Sequence, residues 1–206
     1  RVLRPLEHGA VGTLVAAELR LALRRRSLLW WAVMLIAGIV QLAAPLPNAA
    51  IAAVVAWMLG IDVHARVLLR ESETSTAGLV FTAPDAARRL SLARLGATVL
   101  LSLFATAPLL LRSMSTSAGI TGSLLLVGAT IAALGLAGSA LFRSPRPYEL
   151  VMVLLAYIGV QGKGPLAVGA LSPSVVAAIG ITLAVSLLLV FATMPRLAVA
   201  SQRAAF

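Results

Sequence analysis

The sequence has no cysteine and little charge, and each shortage excludes a kind of chemistry. Without a thiol among its 206 residues, the chain can form no disulfide, no zinc–thiolate centre and no thiol nucleophile. Charged residues make up 12% of the chain, about half of what a soluble domain carries. A composition so poor in charge argues against a soluble globular domain.

Apolar residues are what the sequence does have, at 60% of the chain with a mean hydropathy of +1.00. The apolar runs are continuous rather than alternating, which favours helices over barrel strands, and roughly 20 such residues cross a bilayer. We therefore predict an all-α membrane protein with six transmembrane helices. The prolines at 45 and 47 predict a tight turn between the first two spans, and Pro195 is expected to end the last. The predicted spans are 27–44, 48–64, 92–111, 118–142, 148–160 and 174–194.

Lysine and arginine predict the orientation of these spans. All but two of the 17 basic residues fall in one set of connections, which is then the cytoplasmic side. Both termini are therefore expected in the cytoplasm, in a multi-pass protein of a bacterial inner membrane. Basic residues that border apolar runs do not indicate nucleic acid as a partner. Asp62 and Arg66 are spaced to pair at the end of the second span. Because the sequence opens on Arg1, we expect a segment to precede it.

Residues 1–26 are predicted to be a cytoplasmic and interfacial segment, with an amphipathic helix over 10–26. Its polar face comprises Thr13, Ala17, Arg20 and Arg24. Glu18 and Arg25 fall on the apolar side, and we expect them to pair. The alternative is a plain helical extension of the first span.

A second irregular segment, 161–173, precedes the last span. Helix breakers recur in it, and its apolar middle is too short to cross the membrane. A re-entrant segment that forms an outer gate and a loose outer loop are both open interpretations. The gate residues would be Gly164, Pro165, Gly169 and Pro173.

The predicted spans have no ionisable residue at mid-depth, which disfavours an ion-coupled transporter. A Ser–His hydrolase is disfavoured because the sequence holds only two histidines, His8 and His64. A metal-dependent transferase is disfavoured because acidic residues are sparse. Polar side chains in the spans are expected to bond within their own helix or to a neighbour. A stripe of small residues predicts close helix packing in the fourth span. The stripe is Gly128, Ala132, Gly135 and Ser139.

Residues 62–94 form a charged elbow between the second and third spans. Glu71, Glu73 and Thr76 are followed by the apolar pair Val80 and Phe81, and then by Pro84, thirteen residues after Glu71. This pattern resembles the elbow of permeases of the ABC type 2 exporter family. Ser75 and Gly78 differ from the family pattern, which has Gly and an acidic residue there, and Arg94 stands where the family often has Lys.

The resemblance implies that residues 1–206 form a single permease domain with no enzymatic activity of its own. Two such subunits, identical or homologous, would pair with two ATPase subunits that carry ATP and Mg. Glu71, Glu73, Thr76 and Pro84 would couple the elbow to that ATPase. No nucleotide-binding loop, catalytic residue, cofactor site or metal site is expected in this chain. The alternative is a non-transporting scaffold or regulatory subunit of a membrane complex.

Overall fold

The computed structural model of the chain describes residues 9–24, 26–69, 86–162, 166 and 172–203. Every regular element within these ranges is a helix, as the apolar runs predict. The helices are α1 Ala10–Arg24, α2 Leu28–Ala43, α3 Leu46–Leu59, α4 Ile61–Arg66, α5 Ala86–Ala105, α6 Ala107–Met114, α7 Ala118–Phe142, α8 Arg146–Val160 and α9 Pro173–Arg203.

Three of the described segments are long and apolar enough to cross a membrane by themselves. They are Leu46–Arg66, which joins α3 to α4, then α7, and Pro173–Thr193 within α9. Two bent helix pairs would raise the number to five, if each pair is one span: α1 with α2, at 106°, and α5 with α6, at 71°. The chain therefore has the helices of a membrane protein, and the described part supports three to five spans rather than the predicted six.

The predicted fifth span is a helix that is short for a membrane crossing. α8 has 15 residues, which rise about 22 Å, whereas the hydrocarbon layer is about 30 Å thick. The phenol of Tyr148, near the start of α8, donates to the carbonyl of Ile131 on α7 at 3.2 Å. This bond anchors α8 to the longest of the buried helices.

Prolines mark helix boundaries less consistently than predicted. α3 begins at Leu46 and takes Pro47 into its first turn, so the link from α2 is only Ala44 and Pro45. The helix α9 continues through Pro195 to Arg203, but the candidate span within it, Pro173–Thr193, stops just before that proline. A proline inside a helix removes one backbone hydrogen bond, and a long apolar helix can tolerate that loss.

Side-chain caps explain where two of the longer helices begin. The hydroxyl of Ser27 accepts from the backbone N–H of Trp30 at the start of α2, at 3.2 Å. The hydroxyl of Ser117 accepts from the N–H of Ile120 at the start of α7, at 3.4 Å. Each cap satisfies a backbone donor that has no partner within the helix. α7 ends at Phe142, and the next residue, Arg143, has a left-handed φ of 50° and donates its N–H to the carbonyl of Ser139.

The bundle is organised around α7, against which α4, α5, α6, α8 and α9 pack. One apolar cluster joins α2, α3, α7 and α8 around Trp57 and Met152. A second joins α1, α4, α5 and α7, and it includes Val15, Val63 and Leu136. The second cluster brings the N-terminal helix into contact with helices on both sides of residues 70–85.

The amphipathic pattern predicted for α1 is confirmed, but its buried face contacts protein. Thr13, Ala17, Arg20 and Arg24 are exposed, as expected. Val15 and Leu19 are buried in the second cluster, where α1 packs along α5. A plain extension of the first span is wrong, because α1 ends at Arg24 and α2 runs at 106° to it.

Candidate functional site

Most of the residues predicted for coupling and gating lie outside the described residues. These are Glu71, Glu73, Thr76 and Pro84 of the elbow, and Gly164, Pro165 and Gly169 of the outer segment. Arg25 of the predicted interfacial helix also lies outside them. Pro173 is the first residue of α9. The candidate site is therefore built from the helices that flank these segments.

A buried ion pair joins α1 to α5, the helix that contains the C-terminal end of the elbow. The Nε of Arg94 donates to Oε1 of Glu18 at 3.3 Å. Their side chains are only 2% and 10% exposed, so both charges have left water. Removing one partner of such a pair leaves a buried charge, which costs about 3–5 kcal/mol. Arg94 lies 76 residues from Glu18 in sequence. The expected pairing of Glu18 with Arg25 stays a prediction, because Arg25 lies outside the described residues.

A second ion pair joins the α1–α2 connection to α4, the helix that contains the N-terminal end of the elbow. Nη1 of Arg26 donates to both carboxylate oxygens of Asp62, at 3.1 and 2.8 Å. The Nε of Arg26 donates to the carbonyl of Ala22 at 3.1 Å, and its guanidinium lies 5.6 Å from the Trp30 ring centre. The prediction that Asp62 pairs with Arg66 is wrong, because its carboxylate faces Arg26 instead.

We call these two ion pairs, Glu18–Arg94 and Arg26–Asp62, the elbow clamp. α4 enters residues 70–85 and α5 leaves them, and the clamp ties both helices to one N-terminal segment. Apolar packing supports it, since Leu19 of α1, Val67 beyond α4 and Ala97 of α5 share one buried cluster. The buried Glu18–Arg94 pair and this packing hold α1 against α5, whereas the Arg26–Asp62 pair, with Asp62 48% exposed, contributes less.

The small residues of α7 permit close contact with α4 and α5, as predicted. A Cβ added at Gly135 would lie 2.7 Å from the Cβ of His64. The hydroxyl of Ser139 lies 2.5 Å from the carbonyl of Ala65 and 2.6 Å from that of Gly135. A Cβ at Gly128 would lie 3.3 Å from Leu103 on α5. The stripe thus holds α4 against the centre of the bundle.

The break between α5 and α6 is bridged by a glutamine from α2. In an uninterrupted helix the N–H of Leu109 would donate to the carbonyl of Ala105. Gln41 stands between these groups: its Nε2 donates to the Ala105 carbonyl at 3.1 Å, and its Oε1 accepts from Leu109 N–H at 3.3 Å. Pro108, which has no N–H, lies in the first turn of α6, just after the break at Thr106. A side chain inserted into the backbone ladder accounts for the 71° bend.

Neighbouring helices also satisfy the carbonyl groups at the end of α5. The indole of Trp57 on α3 donates to the carbonyl of Ser102 at 3.2 Å. The hydroxyl of Thr106 reaches the same carbonyl at 3.4 Å. Arg112 on α6 donates to the carbonyls of Gln41, Leu42 and Ala44 at the end of α2, the last at 2.6 Å. Side chains of α3 and α6 thus donate hydrogen bonds to backbone carbonyls around the bend.

An apolar groove of about 470 Å³ lies between α7, α8 and α9. Its walls include Ile131, Met152 and Ile179. The hydroxyls of Thr130 and Thr182 donate to carbonyls of their own helices, both at 2.8 Å, which leaves the walls without a free side-chain donor from these threonines. The volume lies within the range of small-molecule sites, and the lining suits an apolar group.

No group of three or more His, Cys, Asp or Glu side chains that could hold a metal occurs among the described residues. The cations and anions found inside the bundle are instead paired with each other. The candidate site in the described helices therefore consists of ion pairs, hydrogen bonds to the backbone and an apolar groove.

The sequence does not predict the contacts of Gln41, Arg94 and Arg26. Gln41 and Arg94 are both buried with distant partners. Pro108 was a signal for the bend, since a proline within a predicted span commonly kinks it. No sequence signal links Arg26 to Asp62.

Comparison with known proteins gives no match to a family model, to a curated protein or to a solved structure.

Proposed function

We propose that this chain is the transmembrane permease subunit of an ATP-binding-cassette exporter. It would form half of the translocation path, and a second copy or a homologous permease would form the other half. A separate ATPase subunit would bind ATP and Mg and would contact the elbow, through Glu71, Glu73, Thr76 and Pro84. The resemblance of residues 71–84 to the family elbow motivates this assignment.

The elbow clamp is the observation that carries the proposal. A segment that receives force can move the bundle only if its two ends are attached to rigid elements. Glu18–Arg94 and Arg26–Asp62 attach both flanks of residues 70–85 to the same N-terminal segment. A displacement of the elbow would therefore move α1, α4 and α5 together, and α4 is in turn held against α7 by Ser139.

The bend at Gln41 supports the same proposal. α5 leaves the elbow and ends at this break, where α6 turns away by 71°. Broken helices are common in transporters, where the two parts of a span can move separately. A force on α5 would thus reach the bend between α5 and α6, where side chains of α2 and α3 hydrogen-bond the backbone groups.

The cargo is proposed only by chemical class. The 470 Å³ groove between α7, α8 and α9 has apolar walls, which favour an apolar or lipid-like portion of a cargo over an ion. This agrees with the lack of ionisable residues at mid-depth in the sequence.

Purification of the affinity-tagged chain from its native membranes tests the assignment. We expect a nucleotide-binding protein to co-purify and to hydrolyse ATP at a rate that depends on the chain. The double substitution Glu71→Ala with Glu73→Ala should abolish co-purification, because the elbow loses its acceptors for basic groups. Glu149→Ala, an acidic residue at the start of α8, is the matched control and should leave both properties unchanged.

The absence of an ATPase from the purified complex would favour the scaffold alternative. Binding and turnover that survive in the elbow variant would remove the coupling role of Glu71 and Glu73.

Because the chain has no cysteine, Ser72→Cys gives a single labelling site. Labelling of this site by an impermeant maleimide from outside intact cells would contradict a cytoplasmic elbow.

A further inference from the structure

Two buried side-chain atoms have no hydrogen-bond partner in the described part of the bundle. They are Nδ1 of His64 on α4 and Oγ of Ser102 on α5. Each residue is only 1% exposed. A buried polar atom without a partner costs about 1–3 kcal/mol, so native structures rarely leave one unsatisfied.

Both residues line the same small cavity. The cavity has a volume of about 10 Å³ and is also lined by Trp57, Gly60 and Leu101. A volume of about 10–15 Å³ on this measure is what one water molecule needs. Any larger ligand is excluded by size. Gly60 contributes to the space, since a Cβ there would approach Nε2 of His64 to 3.3 Å.

The nearby indole donors are already committed elsewhere. The N–H of Trp57 donates to the Ser102 carbonyl at 3.2 Å, and the N–H of Trp30 donates to the Leu59 carbonyl at 2.9 Å. Asp62, two residues before His64, is bonded to Arg26. None of these groups serves the two unpartnered atoms.

We propose that this cavity is a binding site for one water molecule, which bridges His64 Nδ1 and Ser102 Oγ. The water gives each atom a partner, as buried waters commonly do for polar groups that protein cannot reach. It joins α4, which precedes residues 70–85, to α5, which follows them. The site does not depend on the exporter assignment.

Solid-state NMR on proteoliposomes tests the site directly. The chain has two histidines, so His8→Gln leaves His64 as the only ¹⁵N-labelled histidine. We expect magnetisation transfer from water to Nδ1 of His64. Ser102→Ala should remove most of that transfer, because the water loses one of its two partners. Ser123→Ala is the control and should leave the transfer intact, since the Ser123 hydroxyl donates to its own helix at the Ile120 carbonyl.

A high-resolution density map of the unsubstituted protein is the second measurement, and it is decisive if Ser102→Ala does not fold. We expect a solvent peak within about 3.2 Å of both atoms. Equal transfer in the Ser102→Ala variant would overturn the bridge. A direct bond between His64 and Ser102, or a cavity without solvent density, would overturn the site altogether.

Discussion

Replacement of Gln41 by methionine should destabilise the bundle at the bend between α5 and α6. Gln41 is fully buried, and its amide satisfies the Ala105 carbonyl and the Leu109 N–H at the same time. Methionine keeps the length and flexibility of the side chain and removes both hydrogen bonds. The substitution therefore isolates the polar bridge from the packing.

The loss in free energy of unfolding lies between two limits. If neither backbone group finds a new partner, two unsatisfied groups at about 1–3 kcal/mol each would cost about 2–6 kcal/mol. If the helix straightens so that the Ala105 carbonyl bonds Leu109 directly, the loss falls towards the membrane average of about 0.6 kcal/mol per interhelical bond. We expect about 2–3 kcal/mol, because Pro108 prevents full recovery of a straight helix.

Reversible unfolding in mixed micelles of mild detergent and SDS measures this loss. Asn48→Leu is the matched control, since it also replaces an amide by an apolar side chain of similar size, at an exposed position in the first turn of α3. We expect the control to unfold like the unsubstituted protein. If Gln41→Met and Asn48→Leu have the same free energy of unfolding, the bridge does not stabilise the bend and the reasoning fails.

Three further predictions concern the packing stripe, the elbow clamp and the end of α2. Gly135→Ala should lower the free energy of unfolding by about 1–3 kcal/mol, because its Cβ would lie 2.7 Å from the Cβ of His64. The control is Gly122→Ala in the same helix, whose Cβ would meet nothing within 4 Å. In the same unfolding assay this control should be neutral or slightly stabilising. Glu18→Gln should lower the free energy of unfolding by about 3–5 kcal/mol. The double variant Glu18→Leu with Arg94→Leu should lose less stability than that single change. A double variant less stable than Glu18→Gln would contradict a buried charge pair. Arg112→Met should lower the midpoint of thermal unfolding, because it removes a cation from the end of α2, and we expect a loss of about 1–2 kcal/mol. Arg112→Lys keeps the positive charge and should lose less stability. Equal midpoints for the Met and Lys variants would exclude the electrostatic contribution.

The sequence predicted the elements that depend on local signals. The span 118–142 coincides with α7, because its apolar run is uniform, Ser117 caps its start and no proline interrupts it. The polar face of α1 follows from helical periodicity alone. The close approach at Gly135 follows from residue size. Each of these predictions needed information from one helix only.

The contacts that depend on tertiary structure could not be predicted. Asp62 has Arg66 at helical spacing, but bonds Arg26 from the α1–α2 connection, which lies 36 residues away in sequence. The bend after α5 needs a residue from α2 as well as the local proline. The count of spans differs because the helices around 27–44 and 148–160 are shorter than a bilayer crossing, and because the predicted span 92–111 is bent between α5 and α6. Apolar composition does not distinguish a spanning helix from a short buried one.

The separation of Glu18 from Arg94 along the chain has a consequence for synthesis in the cell. α1 leaves the ribosome long before α5, whose arginine is 76 residues further on. Until then its carboxylate has no α5 partner, and its apolar face must be sheltered by lipid headgroups or a chaperone. Docking of the first helix is therefore a late step of biogenesis. A nascent chain halted before residue 94 should expose the N-terminal segment to protease, and one released after α5 should protect it.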